Sequence, residues 1–240
     1  MRFQCALTVA FGLILAACSG GNAPPPVDPA LAAKAANEAR AAKEGALYDQ
    51  MRRSGSWDIA TSLGNEILAK YPGTQTAQRV QQTIAQTRAK SAANADAHRL
   101  AALWSYTVTA EDGGTQYAAT IASKEPLKLP NARLRLVLRQ HPKWGQSVYL
   151  LLDNATFDCK GGCATLPVGF DGAKPQHMKA TIPPTGEPAL FIDDDEGFIA
   201  KLEKAKTVAI GVNVKGAGEF DAEFEVGGFD SSKLPGRPMK

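Results

Sequence analysis

The densest concentration of chemically capable side chains is Arg139-Gln140-His141-Pro142-Lys143-Trp144-Gly145. It places two cations, an imidazole and an indole in one turn. An indole face suits stacking on a sugar ring, and guanidinium or ammonium groups suit carboxylates and phosphates. Arg139, His141, Lys143 and Trp144 are therefore the candidate ligand-binding residues, for an anionic or glycan ligand. The competing reading is a plain hairpin loop, with Trp144 covering the end of a sheet.

Cys159-Lys160-Gly161-Gly162-Cys163 comes next. The sequence favours a disulfide closing a β-hairpin, with the Gly-Gly pair free to take the positive φ of a tight turn. Redox-active pairs have two intervening residues and a helix N-terminus that lowers the thiol pKa. Here three residues intervene and no helix follows. Metal binding lacks a second ligand pair.

Asp193-Asp194-Asp195-Glu196 offers hard oxygen ligands, but without the alternating spacing of a Ca²⁺ loop. It immediately precedes a helix, where Asp195 can cap free N–H groups and negative charge suits the helix dipole. His177 is a further candidate for hydrolytic chemistry, while His98 reads as a surface residue of a helix. No Gly-x-Ser-x-Gly elbow, phosphate loop or His-Glu-x-x-His sequence occurs. No catalytic residue, cofactor or metal ligand is assigned.

The elements that must hold these residues divide the chain at about residue 104. Residues 30–103 are rich in Ala, Glu, Gln, Lys and Arg and read as helical. Ser54-Gly55-Ser56 ends one helix, Trp57-Asp58 opens the next, and Tyr71-Pro72-Gly73-Thr74 closes it. Ala60, Leu63, Ile67 and Tyr71 form one apolar face, and Val80 and Ile84 mark the face of the third segment, Gln75 to about Leu103. Ser91 to Asp96 is almost bare of large apolar groups and reads as a solvated connector or a frayed end.

From Trp104 the periodicity changes to two. Strands are predicted over 104–110, 116–123, 133–139, 147–153, 156–159, 178–182, 207–214 and 219–226, with one helix over 196–206. Leu134, Leu136 and Leu138 alternate with Arg133, Arg135 and Arg139, so one face is dry and one wet. The expected fold class is α+β: an N-terminal helical segment, then an antiparallel β-sandwich or partly open barrel over 104–230, interrupted by one helix. Residues 231–240 read as a C-terminal tail.

At the N-terminus, Arg2 precedes the apolar stretch Ala6–Leu15, and Leu15-Ala16-Ala17-Cys18 follows. The arrangement has the parts of an export signal, and its end resembles the bacterial lipobox. The resemblance implies cleavage before Cys18, palmitate-type acyl chains on the thiol, and acylation of the new amino group. The apolar run falls short of the about 20 residues a membrane span needs. Two or more acyl chains give stable anchoring. Ser19, where Asp would favour inner-membrane retention, points by analogy to the outer membrane, with the body in the periplasm. Residues 1–17 are then a signal peptide and 18–29, Gly- and Pro-rich, a stiffened tether. Cys5 leaves with the signal and Cys18 is acylated, so of four cysteines only Cys159 and Cys163 remain to pair in an oxidising space.

Gly55-Ser56-Trp57-Asp58-Ile59-Ala60 and Ala69-Lys70-Tyr71-Pro72-Gly73-Thr74 resemble a single tetratricopeptide unit. One unit is fewer than a solenoid needs, so a lone helical hairpin is expected. Leu136–Gly145, Phe157-Asp158-Cys159 with Cys163, Phe170-Asp171, Leu190-Phe191-Ile192 and Phe198–Ala205 resemble uncharacterised envelope lipoproteins of Gram-negative bacteria. That resemblance implies a β-rich periplasmic domain and no established catalytic residue. The net charge of +3 carries no basic stripe with interleaved aromatics, which argues against nucleic acid as a partner.

The expected function is a non-enzymatic, lipid-anchored outer-membrane protein. Its partners are the membrane through its anchor, and an envelope protein or peptidoglycan. The alternatives are a periplasmic hydrolase or glycan-active enzyme using His141, His177 or Asp193–Asp195, and an assembly accessory docking through its helices. Convergence of those side chains in one pocket would favour the enzyme.

Overall fold

The computed structural model describes residues 28–160 and 162–235. The export signal, Cys18 and nearly all of the 18–29 tether lie outside them.

Three helices come first: α1 (Pro29–Arg53), α2 (Trp57–Lys70) and α3 (Gln75–Ala102). Asp28 caps α1 by accepting the Ala30 N–H at 2.9 Å, with Pro29 in the first turn, where its missing donor costs nothing. Thr74 caps α3 through the Ala77 N–H at 3.1 Å. The glycine of each interhelical turn has positive φ, +76° at Gly55 and +84° at Gly73.

The helices share a small core of Tyr48, Ala60, Ile67, Ala77, Val80 and Ile84. The Tyr48 hydroxyl bonds with those of Thr83 (2.8 Å) and Thr87 (3.0 Å), so its polar end is satisfied inside. Gly64 allows the approach: a Cβ there would lie 2.5 Å from Ile84 and 2.9 Å from Tyr48.

α1 and α3 run in the same direction. Glu38 accepts the Gln75 N–H, Tyr48 meets Thr83, and Arg52 donates to Gln86, offsets of 37, 35 and 34 residues. Residues 29–37 therefore project beyond one end of α2, and the last turns of α3 beyond the other. At 1.5 Å per residue this staggered arm is about 55 Å long. Residues 92–99 are exposed yet helical throughout, so the connector expected there is a continuous helix. Its alanines supply the propensity that packing does not.

The β strands are β1 (Trp104–Glu111), β2 (Gly114–Ala122), β3 (Arg133–His141), β4 (Gly145–Asp153), β5 (Thr165–Phe170), β6 (Gln176–Thr181), β7 (Ala189–Ile192), β8 (Val208–Val214) and β9 (Gly218–Phe224). They form one antiparallel sheet in the order β1-β2-β3-β4-β7-β6-β5-β8-β9. The sheet is open, with β1 and β9 at its edges. One core takes inward side chains from both halves, among them Leu136, Leu138, Leu150, Val168, Ile210 and Phe224. Helix α4 (Asp195–Leu202) buries Phe198, Ile199 and Leu202 in that core.

Several expectations need correction. Residues 156–159 are no strand: only Phe157 forms an isolated bridge, to Val214. The Cys159–Cys163 disulfide is present, with Cα atoms 5.2 Å apart, but it closes a turn in a loop rather than a hairpin. That turn carries a Gly162 N–H bond to the Cys159 carbonyl. Strands β5 and β7 were not anticipated. Pro167 masks β5 because proline cannot donate to a ladder. It sits opposite His177, ahead of the residues paired with β8. Gly211 of β8 makes room for its ring, where a Cβ would lie 2.6 Å from Pro167 Cγ. β7 spans only four residues, too few to show a period.

The helix expected over 196–206 is Asp195–Leu202. Its N-cap is Asp194, not Asp195; the Asp194 carboxylate accepts the Gly197 N–H at 2.9 Å. The packed chain also continues past residue 230, since Leu234 is buried in the core.

The arm meets the sheet through a 3-10 turn at Val226–Gly228. A Cβ on Gly228 would lie 2.2 Å from the Leu100 carbonyl carbon and 2.4 Å from the Ala101 nitrogen, so backbone lies on backbone there. Arg99 grips Glu225 through both terminal guanidinium nitrogens, at 3.1 and 2.9 Å, which holds the Glu225 carboxyl below the usual range. Trp104 tilts against Phe229 with centroids 5.0 Å apart.

Candidate functional site

β3 and β4 pair from Arg133 opposite Asp153 to His141 opposite Gly145. This fixes which side chains share the outer face. Leu134, Leu136 and Leu138 enter the core. Arg133, Arg135, Val137, Arg139 and His141 point the other way by the period of two. On β4 the same face carries Ser147, Tyr149, Leu151 and Asp153, and β7 adds Phe191 opposite Tyr149.

Here the predicted residues meet. The Arg139 guanidinium lies 5.4 Å from the Trp144 ring centroid and 5.3 Å from that of Tyr149, and Arg139 Nε donates to Ser147 Oγ at 3.2 Å. Tyr149 stacks on Phe191 with centroids 4.8 Å apart. The result is a continuous sequence of contacts across three strands: Trp144, Arg139, Tyr149, Phe191. Burial raises the Tyr149 pKa, against the opposing charges of Arg139 and Arg135, so the phenol stays neutral at physiological pH.

Trp144 is 70% exposed and His141 only 5%. The imidazole lies under the indole, with centroids 3.9 Å apart and planes within 18°. Its Nδ1 accepts the Lys143 N–H (3.1 Å) and the Trp144 N–H (3.3 Å), so this nitrogen carries no proton. His141 therefore positions the turn rather than presenting itself to a ligand. The indole covers His141, the last residue of β3, and itself remains largely exposed. Lys143 pairs with Asp112 of the β1–β2 turn.

The other candidates do not join this group. His177 is exposed on β6, three strands away from β3 in the sheet order. Asp193 accepts a bond from Thr181 Oγ1 at 2.8 Å, and Asp194 caps α4. Burial is the main influence on Asp195 and raises its pKa, against a bond from the Gln146 side chain. No group of three His, Cys, Asp or Glu side chains among the described residues could hold a metal ion. The residues expected to serve an enzyme are thus dispersed over separate elements.

Two open clefts lie at the end of the sheet away from Trp144, each reaching an inward-facing core residue, Leu152 in one and Leu190 in the other. One, of 560 Å³, is lined by Asn131, Arg133, Leu152, Asp153 and Asn154 at the far end of β3. The other, of 270 Å³, lies beside Phe157, Cys159, Ile182 and Pro188. Neither contains His141, His177 or Asp193–Asp195.

Tyr149 and Phe191 were missed from sequence. The alternation of Ser147, Tyr149 and Leu151 could have placed Tyr149 beside the arginines, because hairpin register follows from the turn. Phe191 could not be placed without β7.

No family model matches the chain. No curated protein matches it. Among solved structures, the crystal structure of invasion associated protein b from Bartonella henselae is similar over 54% of this chain and 87% of that chain, at 16% identity and a TM-score of 0.38. A likeness of that degree bears on neither family nor activity.

Proposed function

We propose that the protein is a non-enzymatic, lipid-anchored binding module of the outer membrane that holds an anionic cell-wall glycan, peptidoglycan, on the outer face of β3, β4 and β7. The observation that carries this reading is the contact sequence Trp144–Arg139–Tyr149–Phe191. Aromatic faces offer stacking area for sugar rings, and a guanidinium held between two of them is preorganised for a carboxylate.

Charge supports the choice of an anionic ligand. Arg133, Arg135, Arg139 and Lys143 lie on this face and its turn. The Asp153 and Asp112 carboxylates are engaged with Arg135 and Lys143, and Glu187 lies near Tyr149. Arg133 and Arg139 are left without a carboxylate partner among the described residues. Acyl chains on Cys18 would fix one end of the molecule, and the arm would carry the binding face about 55 Å along its axis.

A photo-reactive residue at Lys143 in intact cells tests the ligand. Adducts carrying amino sugars are expected. Adducts with a protein alone, or none, would overturn the glycan assignment. Cys18→Ser should abolish metabolic labelling by palmitate; persistence of the label would exclude acylation at Cys18.

A further inference from the structure

We infer that the 560 Å³ cleft at the far end of β3 is a second contact for the same ligand, so that the protein grips an extended acidic glycan strand rather than a terminal sugar or a single repeat. The inference rests on the glycan reading above and adds the ligand's form.

The cleft is lined differently from the Trp144 end. Beside Leu152, its lining is polar: Asn131, Asn154, Arg133 and Asp153. Both asparagines adopt left-handed backbone, φ +58° and +56°, which turns the chain sharply at each lip. Asn154 Nδ2 donates to the Asn131 carbonyl at 3.0 Å and ties the lips together. Arg133 is exposed and has no carboxylate partner among the described residues, because Asp153 is held by Arg135 at 2.6 Å. Arg135 Nε is itself buried without a hydrogen-bond partner. The cleft thus combines donors, an acceptor and a free cation, which suits hydroxyl groups beside a carboxylate.

Register sets the spacing. Arg133, Arg135 and Arg139 project from one face of one strand, with Tyr149 and Phe191 on the row between Arg135 and Arg139. At about 3.4 Å per residue, Arg133 and Arg139 are about 20 Å apart along β3. One sugar ring cannot reach both. A strand laid along β3 would meet cation, aromatic and cation again, and its two contacts would reinforce each other by raising effective concentration.

The test uses the full chain in detergent and two probes: purified glycan strands of peptidoglycan, and the soluble disaccharide-peptide monomer. Strands are expected to bind at least about tenfold more tightly than monomers, within the range linked contacts provide. Arg133→Ala and Asn131→Gly should lower strand affinity several-fold and leave monomer affinity unchanged, with Arg133→Lys restoring part of the loss. Asn131→Gly keeps the left-handed backbone accessible, so loss of folding does not confuse the result. Equal affinity for strands and monomers, or strand binding unaffected by both substitutions while Trp144→Ala abolishes it, overturns the second contact and spares the Trp144 site. Absence of binding to either probe overturns both.

Discussion

The helical arm and the β unit are held together by different means. The arm's core is small, built on Tyr48, Ile67 and alanines, and depends on Gly64 for close approach. Much of α1 and α3 is exposed and helical through composition. The β unit has a larger core, closed on one side by α4, and an outer face whose aromatic and basic groups the core does not need. Stability and chemistry are thus separated. On the proposed reading the arm would set distance and the outer face would bind, while the inner face of the sheet holds the core.

The largest expected effect on this contrast comes from core truncation. Phe198→Ala should destabilise the β unit by about 3–5 kcal/mol, and Ile67→Ala the arm by about 2–5 kcal/mol. The two should be separable by probe. In a Trp57→Phe, Trp144→Phe background, where Trp104 alone emits, Ile67→Ala should lower the stability of helical circular dichroism while the fluorescence reports a β unit unfolding where it did before. If both variants shift both signals equally, the regions are one cooperative unit and the contrast fails.

Gly228→Ala attacks the joint. A methyl there meets the Leu100–Ala101 backbone, which no side-chain rotation relieves. The arm should undock while both cores remain folded, seen as faster amide exchange over 226–230 and a broader distribution of dimensions in small-angle scattering. Unchanged exchange and scattering would show that the joint tolerates a displacement of the turn.

Two carboxylates of the β unit should respond to pH with opposite signs. Asp171 accepts the Thr207 (2.9 Å) and Lys206 (2.7 Å) N–H groups, which depress its pKa. Its contribution is present at neutral pH and disappears as pH falls below the usual carboxylate value of about 3.9. Burial raises the Asp195 pKa, so its contribution falls as pH rises from the usual value through the raised one. Asp171→Asn should therefore lower the denaturation midpoint at neutral pH, and Asp195→Asn should raise it modestly. Shifts of the same sign at neutral pH would contradict one of these assignments.

The smallest stability effect is expected at Trp144. Its indole is largely exposed and contributes mainly its stack on His141, so Trp144→Ala should lower stability by no more than about 1.5 kcal/mol by denaturant titration. A large loss would make the residue part of the fold rather than of a binding face.

Much of this arrangement was legible in sequence where period and punctuation agreed. The helix breaks at Gly55 and Pro72, and the alternation of β3, needed no tertiary information. The missed pieces depended on partners distant in the chain. β5 forms despite Pro167 because Gly211 makes room for the ring. β7 gains its place between β4 and β6 from pairing, not from its four residues. The Arg139–Trp144 cluster was visible as local chemistry. Its extension to Tyr149 and Phe191, and the cleft beside Arg133, required the register of three strands. The dispersal of His141, His177 and Asp193–Asp195 likewise follows from topology alone.

The most direct measurement is co-sedimentation of the detergent-solubilised full chain with peptidoglycan sacculi, alongside Trp144→Ala and Gly228→Ala. The native chain and Gly228→Ala should sediment with similar affinity, and Trp144→Ala at least about tenfold more weakly, a difference of about 1.4 kcal/mol. Native-like sedimentation of Trp144→Ala, or loss of binding in Gly228→Ala alone, would contradict a ligand held by the sheet's outer face.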